Sequence, residues 1–161
     1  MIVVGVDGSA GSDAALRWAL EEAKLRGVSL RVVHVYQLPQ LPLDGVVMGA
    51  PGLLESAGSQ EDAERLRAAS EAEARRVVEE ALARAGTAAA SVETERAAIE
   101  GPPADSLIGA GRDAELLVLG SRGRGGFAGL LLGSVSQQCA QHPPCPLVIL
   151  PPVDEVEGKR G

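Results

Sequence analysis

Short β-branched runs alternate with helix-patterned stretches along almost the whole of this chain, and that alternation limits it to very few folds. Met1-Ile-Val-Val-Gly-Val-Asp7 is an apolar run closed by Asp-Gly-Ser and reads as a buried strand. Over residues 12–26, apolar side chains recur at Ala15, Leu16, Ala19, Leu20 and Ala23, the stripe of an amphipathic helix. Ser9 or Ser12 is placed to cap its start, and Gly27 to stop it. Residues 28–35 return to strand character. Strand, helix and strand within about 35 residues form a βαβ unit, whose crossover is almost always right-handed.

The pattern continues after an interruption. Over residues 37–58 periodicity lapses, broken by Pro39, Pro42 and Pro51 and loosened by Gly45, Gly49 and Gly52. An irregular stretch of about 20 residues inside a compact domain signals a lid, a contact surface or disorder. Residues 61–85 then read as a long helix with Ala63, Leu66, Ser70, Ala74, Val77 and Ala81 on one face. Its Glu61–Arg65 and Glu71–Arg75 pairs stand at i,i+4 and add small helical support. Residues 91–97 make a weaker third strand. Residues 103–111 make a short helix with Pro103 in its first turn and Ala104, Leu107, Ile108 and Ala110 inward. Residues 115–119 are the clearest buried strand. A helix over 134–142 ends at Pro143-Pro144, and 147–150 is a last strand. The order predicts one α/β domain over 1–153, a parallel sheet with helices on both faces, followed by a polar tail over 154–161.

Composition narrows the functions open to such a domain. Aromatic residues are only 2% of the chain, namely Trp18, Tyr36 and Phe127, so the core is built from Val, Leu, Ile and Ala. Base-stacking nucleic-acid modules need more aromatic surface than that. Fifteen Lys and Arg against 22 Asp and Glu give a formal charge of −7, a field that repels nucleic-acid backbones. A single nucleotide escapes this argument, because local backbone dipoles decide its binding. Cys139 and Cys145 are too few for a disulfide framework and do not form a C-x-x-C pair. With no leader-like start and no apolar run near ~18 residues, the expectation is a cytoplasmic protein with no membrane partner.

The most informative stretch is Gly120-Ser-Arg-Gly123-Arg-Gly-Gly-Phe-Ala-Gly-Leu-Leu-Leu-Gly133-Ser134, which leads from the buried 115–119 strand into the 134–142 helix. Open α/β sheets bind ligands outside the carboxyl ends of their strands. Glycines let a backbone turn tightly and bring its N–H groups to phosphate oxygens. Gly133-Ser134 then offers a helix N-terminus that favours an anion, with the Ser134 hydroxyl as a further donor. The pattern is neither G-x-x-x-x-G-K-[ST] nor G-x-G-x-x-G, and it contains no lysine.

G-x-x-G, nine residues, then G-[ST], met here at Gly120, Gly123, Gly133 and Ser134, resembles the ATP-binding signature of the universal stress protein family. Val-Gly-Val-Asp-Gly-Ser at the start, Val-Val-His-Val near position 33, Gly-Pro-Pro-Ala-Asp at 101 and Pro-Cys-Pro-Leu-Val-Ile-Leu near the end fall where that family has similar wording. The resemblance implies an open five-stranded parallel sheet of adenine-nucleotide-binding, Rossmann-like type, in strand order 3-2-1-4-5. It also implies ATP as ligand, with Mg²⁺ accompanying it, and a homodimer paired through Leu147, Val148, Ile149 and Leu150. By the same resemblance Gly5 and Asp7 contact the adenosine side, with Asp7 near the ribose or a phosphate-bound metal. The backbone of Val35 reads the adenine edge. Gly120, Ser121, Arg122, Gly123, Arg124, Gly125 and Gly126 wrap the phosphates or ribose, and Ser134 with Val135 closes on the phosphates.

Other polar residues have structural explanations beside their chemical ones. Asp7 at a strand end also suits a turn cap. Arg122 and Arg124 suit phosphate pairing and solvation equally well. His34 at a strand end suits packing and a hydrogen bond better than general-base work. His142 and Asp105 suit the dipoles of their helices, and Cys139 suits an inner helix face. No catalytic set emerges. The function expected is therefore a nucleotide-dependent switch or sensor in the stress response, with at most slow ATP hydrolysis. An ATP-consuming hydrolase or transferase on a related fold, and a dimer module with a vestigial site, remain alternatives.

Overall fold

The computed structural model describes residues 1–38, 60–124 and 131–151. The irregular 37–58 stretch, for all but its first two residues, and the 154–161 tail lie outside them. The elements run β1 (Ile2–Gly5), α1 (Ala10–Arg26), β2 (Leu30–Tyr36), α2 (Gln60–Ala85), α3 (Thr87–Ala90), β3 (Thr94–Glu100), α4 (Pro103–Gly111), β4 (Leu116–Gly120), α5 (Ser134–Gln141) and β5 (Leu147–Leu150). All strand pairings are parallel, and the sheet order is β3-β2-β1-β4-β5.

Strand alternation divides the core in two. Ile2 and Val4 of β1 face one side with Leu30, Val32, Leu116 and Val118, where Leu16, Leu20, Val78 and Leu82 of α1 and α2 cover them. Val3, Val33, Leu117 and Leu119 face the other side, against Ala104 and Leu107 of α4 and Cys139 of α5. Both faces of the central strands are dry, which is why β1 and β4 read as continuous apolar runs.

The start of α1 lies two residues earlier than the apolar stripe indicates. Ser9 is its cap, with extended backbone (φ −84°, ψ 158°), and its Oγ accepts the Ser12 N–H at 3.2 Å. Ser12 lies inside the helix, its hydroxyl donating to the Ser9 carbonyl at 2.9 Å. Gly27 closes α1 in the left-handed region at φ 66°.

Two expectations need correction. The inward face of α2 is Ala74, Val77, Val78, Ala81 and Leu82, whereas Ala63 is exposed and Leu66 and Ser70 are half-buried. A helix of 26 residues is about 39 Å long, and the seven-residue strands beneath it span only about 23 Å, so its first turns outrun the sheet. The third strand begins three residues later than expected and ends at Glu100, because Thr87–Ala90 forms the short α3 first. Thr94 pairs with Leu30 and Glu100 with Tyr36. As an edge strand, β3 carries Glu95, Arg96 and Glu100, charges that discourage further pairing on its open side.

Candidate nucleotide-binding cleft

A cleft of about 460 Å³ opens at the carboxyl edge of the sheet, where β1 and β4 lie side by side and their following chains leave toward opposite faces. That volume lies in the range of small-molecule sites. Of the residues expected at the site, Gly5, Asp7 and Val35 line one part, and Gly120, Arg122, Gly123 and Arg124 another. Gly133, Ser134 and Val135 line the rest. Gly125, Gly126 and Phe127 lie outside the described residues.

Ser121 is the exception. It does not line the cleft and is 4% exposed. Its carbonyl accepts the Gly133 N–H at 2.7 Å and the Ser136 hydroxyl at 2.8 Å. Ser121 therefore ties the two ends of the glycine segment together through its backbone, and its role is support.

The turn after β1 and the start of the glycine segment are built against each other. The Asp7 carboxylate accepts the Ser9 N–H at 3.0 Å and the Ser9 hydroxyl at 2.6 Å on one oxygen, and the Arg124 N–H at 3.1 Å on the other. It thus caps the β1 turn and anchors the glycine segment at once. Burial pushes the Asp7 carboxyl up, but the Ser9 hydroxyl and amide, the Ser12 hydroxyl and the Arg124 amide together hold it below its usual value.

Close approach explains two of the glycines. A Cβ at Gly123 would collide with the Asp7 carboxylate. A Cβ at Gly120 would stand 2.8 Å from the backbone carbon of Gly11 in the first turn of α1. Gly133 differs: its nearest contact would be the Ser121 carbonyl at 3.5 Å, ordinary van der Waals distance. Protein packing demands glycine at 120 and 123 but not at 133, where a Cβ would rest in ordinary contact with the backbone of Ser121, Arg122 and Gly123.

That start has no side-chain cap. The first amides of a helix lack intrahelical acceptors, so an uncapped start beside a cleft is suited to an anion. Part of the lining is apolar, contributed by Val33, Pro103, Leu107 and Leu119. Polar donors together with an aliphatic part of the lining suit a ligand that has both a charged and a flat or apolar portion.

Several lining residues escaped the sequence reading. Leu107 and Leu119 read as core residues, and they are, but they also reach the cleft. Ser12 lines it while its Oγ accepts the Asp7 N–H at 3.2 Å. His34 is hydrogen-bonded as expected, its Nδ1 lying 2.7 Å from the Val6 carbonyl, yet it too lines the cleft. A carbonyl only accepts, so Nδ1 carries the hydrogen and neutral His34 keeps Nε2 as an acceptor. The topology supplies the missing signal, since every one of these residues lies at a strand end or at the first turns of α1, α4 or α5.

Among the described residues lining the cleft, Asp7 is the one carboxylate. Among the described residues no group of three or more His, Cys, Asp or Glu is arranged to hold a metal ion. A magnesium ion fits here chiefly as a companion of ligand phosphates and water, with Asp7 as its nearest acid. Cys139 is buried, and burial and the Asp105 charge push its thiol up, away from reactivity.

Comparison with known proteins agrees with this architecture. The sequence model of the Universal stress protein family matches residues 1–151. A universal stress protein of Mycobacterium tuberculosis is 36% identical over 155 residues, which cover 96% of this chain and 48% of that protein. Another, from Mycolicibacterium smegmatis, is 33% identical over 151 residues, covering 94% and 45%. The chain thus spans about half the length of the curated relatives it matches. Among solved structures, a universal stress protein in complex with cAMP superposes with a TM-score of 0.59 and 26% identity, over 92% of this chain and 94% of that one. The fold is also that of the universal stress protein UspA from Lactobacillus plantarum, with a TM-score of 0.67 at 21% identity, over 92% and 95%. With its sheet order and nearly all its described residues accounted for in this way, the chain belongs to the universal stress protein family.

Proposed function

We propose that this chain is an ATP-binding regulator, a switch or sensor whose state depends on the nucleotide held between β1 and β4. The observation that carries this reading is the position of Gly133-Ser134: an uncapped helix start at the mouth of an apolar cleft, with a glycine that packing does not require. Adenine lies in the aliphatic slot near Val35, and the phosphates lie toward Gly123, Ser134 and Val135. Magnesium travels with the phosphates. A relative of 26% identity whose structure is in complex with cAMP supports a nucleotide in this fold.

Hydrolysis is slow at most. Phosphoryl transfer needs a positioned water and charge neutralisation, and the Asp7 oxygens are already engaged by Ser9 and Arg124. The protein acts in the cytoplasm as a homodimer through β5, whose four residues are all half-buried and pair only with β4 among the described strands.

The test is direct. Protein purified gently and then denatured should release adenine nucleotide, and the stripped protein should bind ATP at sub-millimolar concentration. A stripped, folded protein without such affinity removes the reading.

A further inference from the structure

Among the described residues lining the cleft, His34 is the one histidine, and histidine is the side chain whose charge changes between pH 5 and 8. It follows Val32 on the face of β2 that α1 and α2 cover. One ring nitrogen is committed. Nδ1 lies 2.7 Å from the Val6 carbonyl, which only accepts, so this nitrogen carries a hydrogen in either charge state. A proton taken up by the ring therefore goes to Nε2, which has no hydrogen-bond partner among the described residues. Charging the ring breaks no bond there and turns Nε2 from an acceptor into a donor.

The charges facing His34 come from several elements. Arg122 and Arg124 line the same cleft with Asp7, whose oxygens serve Ser9 and the Arg124 amide. From α2, Glu73 is bonded through both oxygens to Arg76, which holds its carboxyl down, and the charges of Arg124 and His34 lower it further. On β3, Ala98 stands opposite His34, and the charges on either side are paired, Arg96 with Glu79 and Glu100 with Arg67. In α1, Asp13 is held by Arg84. The residues that α4 and α5 contribute to the lining are uncharged. Two guanidinium groups against one carboxylate leave the lining positive, and an entering anion supplies the negative charge that favours a protonated imidazole.

Granted the nucleotide-binding reading, on which this rests, we infer that His34 makes binding in the cleft proton-linked. As an anionic ligand enters, Nε2 takes a proton from solvent. By reciprocity, affinity for anions rises as pH falls through the histidine range. The ligands coupled in this way are nucleotides bearing net negative charge, whereas a neutral nucleoside is not coupled. The cleft then responds to acidification as well as to nucleotide.

The chain holds only two histidines, so the ring signals of His34 and His142 are readily followed by NMR. They are titrated in the full chain over about pH 5 to 8, alone, with saturating ATP in metal-free buffer, and with adenosine. His142 is not among the lining residues and serves as internal control. H34N, which keeps a donor for the Val6 carbonyl, assigns the signals, and H142Q does so if H34N fails to fold. ATP should raise the His34 midpoint by about one pH unit and leave His142 in place. Between about pH 8 and pH 5, wild type should also gain about tenfold in ATP affinity relative to H34N, a ratio from which the titration of ATP itself cancels. A His34 midpoint that ATP leaves unmoved or lowers, or that adenosine raises equally, overturns the linkage while nucleotide binding stands. Folded wild type that binds neither ligand overturns both.

Discussion

Asp7 occupies the junction on which the cleft depends. Its carboxylate is bonded from both flanks, by the β1 turn and by the glycine segment. Asp7→Asn presents donors where at least one of these N–H groups needs an acceptor, and a charged-group hydrogen bond is worth about 1.5–3 kcal/mol. A loss of that order should appear in urea melts at neutral pH. The Asp7 carboxyl is held below its ordinary value in the folded state. As pH falls, the unfolded chain therefore takes up the proton first, near pH ~4. The wild-type advantage over Asp7→Asn should be full above that pH and vanish as pH drops through the lowered folded value; an advantage that grows on acidification contradicts the geometry. The glycines offer a companion contrast. Gly123→Ala sets a methyl against the Asp7 carboxylate and should cost about 1–3 kcal/mol of stability. Gly133→Ala should melt close to wild type, because its Cβ would rest no nearer than 3.5 Å to the Ser121 carbonyl, and should weaken nucleotide binding several-fold if the start of α5 holds the phosphates. Melting and titration of the two variants separate packing from binding.

Among the elements, those with strong local signals were legible and those governed by neighbours were not. The bounds of α4 and β5 match the sequence reading because proline fixes the start of one and proline flanks the other. Ser9 and Gly27 set α1 by side-chain capping and by a left-handed backbone, both local effects. Ser9→Ala should cost about 1 kcal/mol, measured by denaturant midpoint at constant slope. The face of α2 follows from how far the sheet extends beneath it, which periodicity alone does not record. The limits of β3 depend on its register against β2, and its charged edge side chains hide the strand period. At the cleft, glycine spacing identified the strand-to-helix passage. It did not identify Leu107, Leu119, His34 or Ser12, because a residue that fills the core and one that floors a cleft obey the same apolar or capping pattern. The duty of Ser121 was equally invisible, since it acts through its carbonyl.

For the whole molecule, the sheet leaves two unlike edges among the described residues. One is the charged β3; the other is β5, four aliphatic residues with one strand neighbour. Sedimentation at tens of micromolar, where weak association is populated, should show a dimer, and Val148→Lys with Leu150→Glu should yield monomer; a wild-type protein that remains monomeric removes the pairing. The contact between Asp7 and Arg124 has a further consequence for biosynthesis. It joins groups 117 positions apart in the chain. A nascent polypeptide with only its amino-terminal half outside the ribosome holds the acid and its Ser9 partners but lacks the Arg124 amide. The cavity therefore comes into being only once the chain through Ser136 has emerged. Any small molecule lodged there recognises only chains that already carry the glycine segment and α5 and, by mass action, protects them from unfolding.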